Sequence, residues 1–163
     1  MLVREFVGPV PSSLHAGLGK YTFASGDVFD GSYKDGLRHG SGNMTYADGS
    51  RYDGAWYEGK KCGAGTYKYA NGDTYQGMWE DDKKHGEGTM FFQESMSQFI
   101  GNWQEGSFVM GRWVLRDGTC FEGSFVDNKP SGRGAYKFPE KNIVAYGSYT
   151  DGKWVASSVE VES

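Results

Sequence analysis

The sequence predicts an all-β fold, an elongated single-layer antiparallel β-ladder of hairpins, and three observations carry that expectation. A phrase of the form aromatic-x-Gly-x-aromatic returns about every 23 residues. Within each copy, aromatic and glycine residues take one parity and polar residues mostly take the other. Acidic-Gly and Asn-Gly pairs stand between the copies, where tight hairpin turns need residues that accept positive φ.

The first clear copy is Phe29-Asp30-Gly31-Ser32-Tyr33, followed by Tyr52-Asp53-Gly54-Ala55-Trp56, Tyr75-Gln76-Gly77-Met78-Trp79, Phe99-Ile100-Gly101-Asn102-Trp103, Phe121-Glu122-Gly123-Ser124-Phe125 and Ala145-Tyr146-Gly147-Ser148-Tyr149. A second phrase, Gly-x-Gly, lies between them at Gly40, Gly63, Gly86 and Gly132, and also at Gly17, which places a worn opening unit at Phe6. Units therefore start at 6, 29, 52, 75, 99, 121 and 145, with an incomplete seventh as the cap. Each unit reads as two strands. Asp35-Gly36, Glu58-Gly59, Glu105-Gly106 and Asp151-Gly152 mark one turn, and Asp48-Gly49, Asn71-Gly72 and Asp117-Gly118 the other. A helix would need a period of 3.6 and would not tolerate this much glycine. The array is expected over residues 1–154, with 155–163 a short polar C-terminal tail. At a strand spacing of roughly 4.8 Å, the ladder would be on the order of 65 Å long.

Composition excludes several classes of function. Glycine, at 26 of 163 residues, is about twice its usual share, yet aromatic residues make up 16% and argue for a buried core over disorder. A net charge of −4 gives no overall field toward nucleic acid. No apolar stretch near the start has the length of a signal peptide, and none elsewhere approaches the ~18 residues of a transmembrane helix. Cys62 and Cys120 read as free thiols of a reducing, intracellular compartment. Catalysis has little support, since no phosphate-binding loop, nucleophile elbow or His-Glu-x-x-His occurs, and the polar residues obey the repeat where an active site would break it. His39, Cys62 and His85 share one repeat position, but successive repeats stand ~10 Å apart, too far to hold one metal ion.

Two readings of the aromatic residues stay open. Counted by repeat position, 21 of the 26 lie in register on one face. They are either the core, covered by ring-on-ring packing, or in part a groove that binds a partner through Tyr33, Tyr52, Trp56, Tyr75, Trp79, Phe99, Trp103 and Phe125. The charges follow the repeat too, and Arg38, Lys60, Lys61, Lys83 and Lys84 line one turn edge. They are read as a solvated edge or as a local patch for anionic lipid or an acidic partner.

The phrase Tyr-x-Gly-x-Trp-x-x-Gly-Lys-x-x-Gly-x-Gly, nearly whole at Tyr52 to Gly65 and at Tyr75 to Gly88, resembles the MORN repeat (membrane occupation and recognition nexus) over residues 6 to 153. The resemblance implies a non-enzymatic scaffold that binds proteins through an aromatic groove. The long unit from Tyr75, the short one from Phe99 with Val109 in place of a glycine, and Asn128-Lys129-Pro130-Ser131-Gly132-Arg133-Gly134 are similar to the MORN tract of ciliary radial spoke head proteins. That implies an axonemal, cytoskeletal location in a cilium or flagellum, other spoke head subunits as partners, and no cofactor. The alternative is a MORN scaffold at a membrane or cortical cytoskeleton that binds phosphoinositides through its basic turn residues. Unpaired edges expected at Phe6 and Tyr149 leave homodimerisation open.

Overall fold

The computed structural model describes residues 4–7 and 16–161, with side chains from residue 16 onward. It is all-β: β1 (Arg4–Val7), β2 (Ala16–Thr22), β3 (Val28–Lys34), β4 (Leu37–Thr45), β5 (Arg51–Tyr57), β6 (Lys60–Lys68), β7 (Thr74–Glu80), β8 (Lys83–Phe92), β9 (Ser97–Gln104), β10 (Ser107–Val114), β11 (Cys120–Val126), β12 (Lys129–Phe138), β13 (Ile143–Thr150) and β14 (Lys153–Val161). The sole helical piece among the described residues is a 3-10 turn, Pro139–Lys141. The chain divides into two compact units, residues 1–83 and 84–163. Within each, every strand lies beside its neighbours in sequence, and among the described residues no second layer covers the sheet.

Both kinds of turn form where the sequence places them. Asp35-Gly36, Glu58-Gly59, Glu105-Gly106 and Asp151-Gly152 all have positive φ at both residues, as a type I′ hairpin requires. Asp81-Asp82 and Asp127-Asn128 adopt the same conformation without glycine. The other turn is longer: the Gly49 N–H donates to the Tyr46 carbonyl at 3.0 Å, and the Asp48 carboxylate accepts from the Ser50 N–H at 2.8 Å. The first glycine of each Gly-x-Gly adopts positive φ, and Gly40 opposite Ser32, Gly63 beside Ala55 and Gly132 do so at an irregularity in strand pairing.

The two ends depart from expectation. The opening unit at Phe6 is not half of a hairpin: β1 pairs with β2 in parallel, Phe6 opposite Tyr21. Residues 8–15 carry Pro9 and Pro11 in place of an acidic-Gly pair, so the sequence encodes no tight hairpin turn there. The polar tail expected from residue 155 is instead strand to Val161. β14 pairs with β13 from Thr150–Lys153 to Ile143–Val161, so Tyr149 is an inner residue and the last described edge is β14. Alternating Val155, Val159 and Val161 give this segment strand propensity that its serines conceal.

Candidate interaction faces

The repeats build a layered stack on one face of the sheet, four layers deep in the units that begin at Phe29, Tyr52 and Tyr75. The lowest is a pair of glycines in register across two strands: Gly31–Gly42, Gly54–Gly65 and Gly123–Gly134. With no Cβ in the way, the first aromatic of the unit lies directly over bare backbone. An added Cβ at Gly54 would stand 2.7 Å from Tyr52 Cζ, and one at Gly134 2.6 Å from Phe121 Cε2. The third layer is the fifth-position ring of the same unit and of the next. Trp56 meets Phe29 and Tyr52 edge-on at 5.3 and 5.1 Å, and Trp79 meets Tyr52 and Tyr75 at 5.3 and 5.2 Å. Each indole N–H donates to a carbonyl of the glycine row: Trp56 to Gly42 at 3.1 Å, Trp79 to Gly65 at 3.3 Å, Trp103 to Gly88 at 3.1 Å.

The top layer is cationic, and the basic-edge reading did not foresee it. Arg38 lies 4.4 Å from the Trp56 ring centre, Lys61 4.8 Å from Trp79, and Lys84 4.2 Å from Trp103. These three occupy one repeat position, nine residues after the first aromatic, and the sequence shows that regularity once it is sought. Desolvation holds the Lys61 and Lys84 ammonium groups below the usual lysine range, with Asp82 partly restoring Lys61. The Arg38 guanidinium also donates to the Gly59 carbonyl at 2.6 Å, and the Asp82 carboxylate accepts the Lys61 N–H at 2.9 Å, so each turn is stitched to the repeat before it. Lys60 pairs with Asp81 at 3.0 Å. In the short unit, Phe108 takes the cation's place. It is fully buried, stacked on Phe99 at 4.7 Å and packed against Phe125 at 4.6 Å.

This layering corrects the groove. Of the eight rings expected to bind a partner, Tyr33, Tyr52, Trp56, Tyr75, Trp79, Trp103 and Phe125 are buried, none more than 6% exposed, and Phe99 is half-buried. They are the core. A single sheet covers its own apolar face here because Phe29 and Tyr52 are roofed by the next repeat's tryptophan, Phe99 and Phe121 by Phe125 and Tyr149, and Trp56, Trp79 and Trp103 by a cation. Among the described residues no group of three His, Cys, Asp or Glu could hold a metal ion. His39 lies 5.1 Å from the Tyr57 ring, and burial pushes the Cys62 and Cys120 thiols up, away from reactivity.

The Tyr33 hydroxyl is buried without a hydrogen-bond partner among the described residues, and burial pushes its pKa up to about 12. Tyr33→Phe is expected to stabilise the protein by about 1 kcal/mol, because an unsatisfied buried hydroxyl costs roughly that. The unfolded phenol ionises from pH ~10, while the folded one stays neutral to about 12. Ionisation of the unfolded phenol therefore takes no stability away below pH ~10 and progressively more as pH rises to about 12. Urea titrations at pH ~8 and ~11 should show Tyr33→Phe losing less stability than wild type over that interval.

The opposite face is polar over most of its extent, with Asp30, Asp53, Ser32, Asn43, Thr66 and Gln76 in the first unit. In the second unit it carries exposed apolar side chains, Met110 and Tyr146, on either side of the glycine row.

With repeat length, turns and ring-on-glycine packing established, the MORN repeat model matches residues 14–28, 29–51, 52–74, 75–94 and 121–143, more than half of the chain. The chain belongs to the MORN repeat family. The segment at 95–120 outside those matches contains the unit in which Phe108 replaces the cation. No curated protein matches the chain. Among solved structures it is similar to the wild-type TCP10 domain of Danio rerio CPAP in complex with a peptide of Danio rerio STIL, at 14% identity, 86% coverage of this chain, 77% coverage of that chain and a TM-score of 0.39. As a MORN repeat array, the chain has the architecture of a protein-interaction scaffold.

Proposed function

We propose that this MORN array is a non-enzymatic scaffold subunit of the ciliary or flagellar axoneme, placed in the radial spoke head and joined to neighbouring spoke head subunits. The observation that carries the reading is the irregular succession of units from Tyr75 to Phe138, long then short, with Val109 and Phe108 interrupting the glycine and cation positions. The scaffold part is supported by where the chemistry-bearing groups lie: rings over glycines, cations over rings, acids in turns. Phosphoinositide binding at a cortical membrane has less support. Arg38, Lys61 and Lys84 roof tryptophans, and Lys60 is paired with Asp81.

The test uses the tagged chain in a ciliated cell. Retention on axonemes after detergent extraction, with spoke head proteins co-purifying, is the expected result. Release by detergent, together with flotation of the purified chain on vesicles containing anionic phosphoinositide at physiological salt, would overturn it.

A further inference from the structure

We infer that the polar face of the second unit holds a binding cleft for an extended acidic segment of a partner protein, gripped by Arg133 between Met110 and Tyr146. The inference rests on the scaffold reading and adds a location and a chemistry to it.

The cleft lies on the glycine row. Gly111, Gly123, Gly134 and Gly147 are in register across β10, β11, β12 and β13, and on the face away from the rings the backbone of this row floors a trough between the side chains that flank it. One cavity of about 530 Å³ is lined there by Met110, Arg133 and Tyr146, with the glycines as floor. A second, of about 400 Å³, adjoins it and shares Arg133, Gly134 and Tyr146. The walls are the residues just before and just after the glycines on each strand, so they stand two residues apart, roughly 7 Å. An α-helix is about 10–12 Å across and cannot enter; an extended chain can.

Charge selects the occupant. Lys137 is neutralised by Glu122 at 2.7 Å, while the exposed Arg133 side chain has no ion pair or hydrogen bond among the described residues. The Arg133 guanidinium, which lines both cavities without an ion pair, favours a carboxylate there even in a chain of net charge −4. Met110 and Tyr146, 55% and 41% exposed, offer an apolar side chain somewhere to lodge.

The repeat itself marks the place. The central residue of Gly-x-Gly is Ser41, Ala64 and Glu87 in earlier units but Arg133 here, and the residue after the first aromatic position is Asp30, Asp53 and Gln76 but Tyr146 here. Packing of the rings does not require either change, since both side chains point to the other face. Two departures that meet across neighbouring strands, Ala135 opposite Tyr146 and Arg133 opposite Ser148, form a local site.

The probe is a fluorescein-labelled peptide of about ten residues alternating Glu and Leu, with a Lys-Leu peptide of equal length as its counterpart, each titrated with the full chain by fluorescence anisotropy. The Glu-Leu peptide should saturate at micromolar concentration and weaken several-fold on raising salt, while the Lys-Leu peptide should not saturate by about 1 mM. Arg133→Glu should weaken the Glu-Leu peptide about tenfold or more and Tyr146→Ala several-fold. Circular dichroism melts should be unchanged because both side chains are exposed; Met110→Ser replaces any variant that fails to fold. Equal binding of the two peptides, no saturation by the Glu-Leu peptide at about 1 mM, or indifference of its binding to Arg133→Glu and Tyr146→Ala would each overturn the cleft. Retention of the Arg133→Glu/Tyr146→Ala chain on extracted axonemes alongside such a failure would leave the scaffold standing without this site. Loss of retention by the wild-type chain would remove the scaffold reading itself.

Discussion

Trp56→Ala combined with Trp79→Ala is expected to abolish cooperative folding of the first unit, not to leave a folded protein deficient in binding. Each indole is buried, meets two rings edge-on at 5.1–5.3 Å, donates a hydrogen bond to a glycine carbonyl and lies under a cation. Truncating one such side chain costs ~3–5 kcal/mol, counting lost burial and the cavity left behind. Two truncations approach the whole ~5–15 kcal/mol that holds a domain together. The sites share Tyr52, so the costs will not simply add; removing Trp56 already loosens the ring against which Trp79 packs. Urea melts followed by far-ultraviolet circular dichroism should show each single variant with a lower midpoint and the double variant without a native baseline. A double variant that melts within a few degrees of wild type, yet no longer holds its axonemal partners, would return these rings to the role of docking surface.

The fate of those rings shows which parts of the structure local sequence displays. Strands and turns are written within a few residues: alternation in Tyr52-x-Gly54-x-Trp56 and the pair Glu58-Gly59 were enough to place β5, its turn and the start of β6. Coverage is written between repeats. What hides Tyr52 is Trp79 from the next unit, and what hides Trp79 is Lys61, an ion whose neighbour Lys60 reads identically in sequence but points to solvent and Asp81. No period-two argument separates Lys60 from Lys61 by contact, and a basic edge was therefore the natural reading. β1 and β14 lacked the motif for a different reason: their strands form by pairing with a neighbour already in place, so weak local signals such as Val155, Val159 and Val161 suffice. The cleft at Arg133 and Tyr146 was visible only as a departure from the repeat, and it acquires meaning once register brings both to adjacent strands.

Gly65→Ala is the second large effect, and it tests the floor of the stack. A Cβ at this position would fall 2.6 Å from Tyr52 Cζ and Cε2, closer than any carbon pair tolerates. The Tyr52 ring cannot retreat: its hydroxyl donates to the Ala55 carbonyl at 3.0 Å, and Trp56 and Trp79 press on its faces and edge. The backbone cannot retreat either, because Gly54 is paired directly opposite. Overpacking of this kind costs roughly 1–3 kcal/mol where neighbours can adjust and more where they cannot, so a loss of about 3 kcal/mol or more is expected. Gly49→Ala is the control. It sits at a turn with φ 88° and open space around it, and should cost only the ~1 kcal/mol of a strained backbone. If the ring over the glycine pair is the cause, Tyr52→Leu in the Gly65→Ala background should cost less than the sum of the two single changes, since the smaller side chain relieves the clash. Equal penalties for Gly65→Ala and Gly49→Ala, or strict additivity with Tyr52→Leu, would mean that these paired glycines serve the backbone alone and that the ring does not need its bare floor.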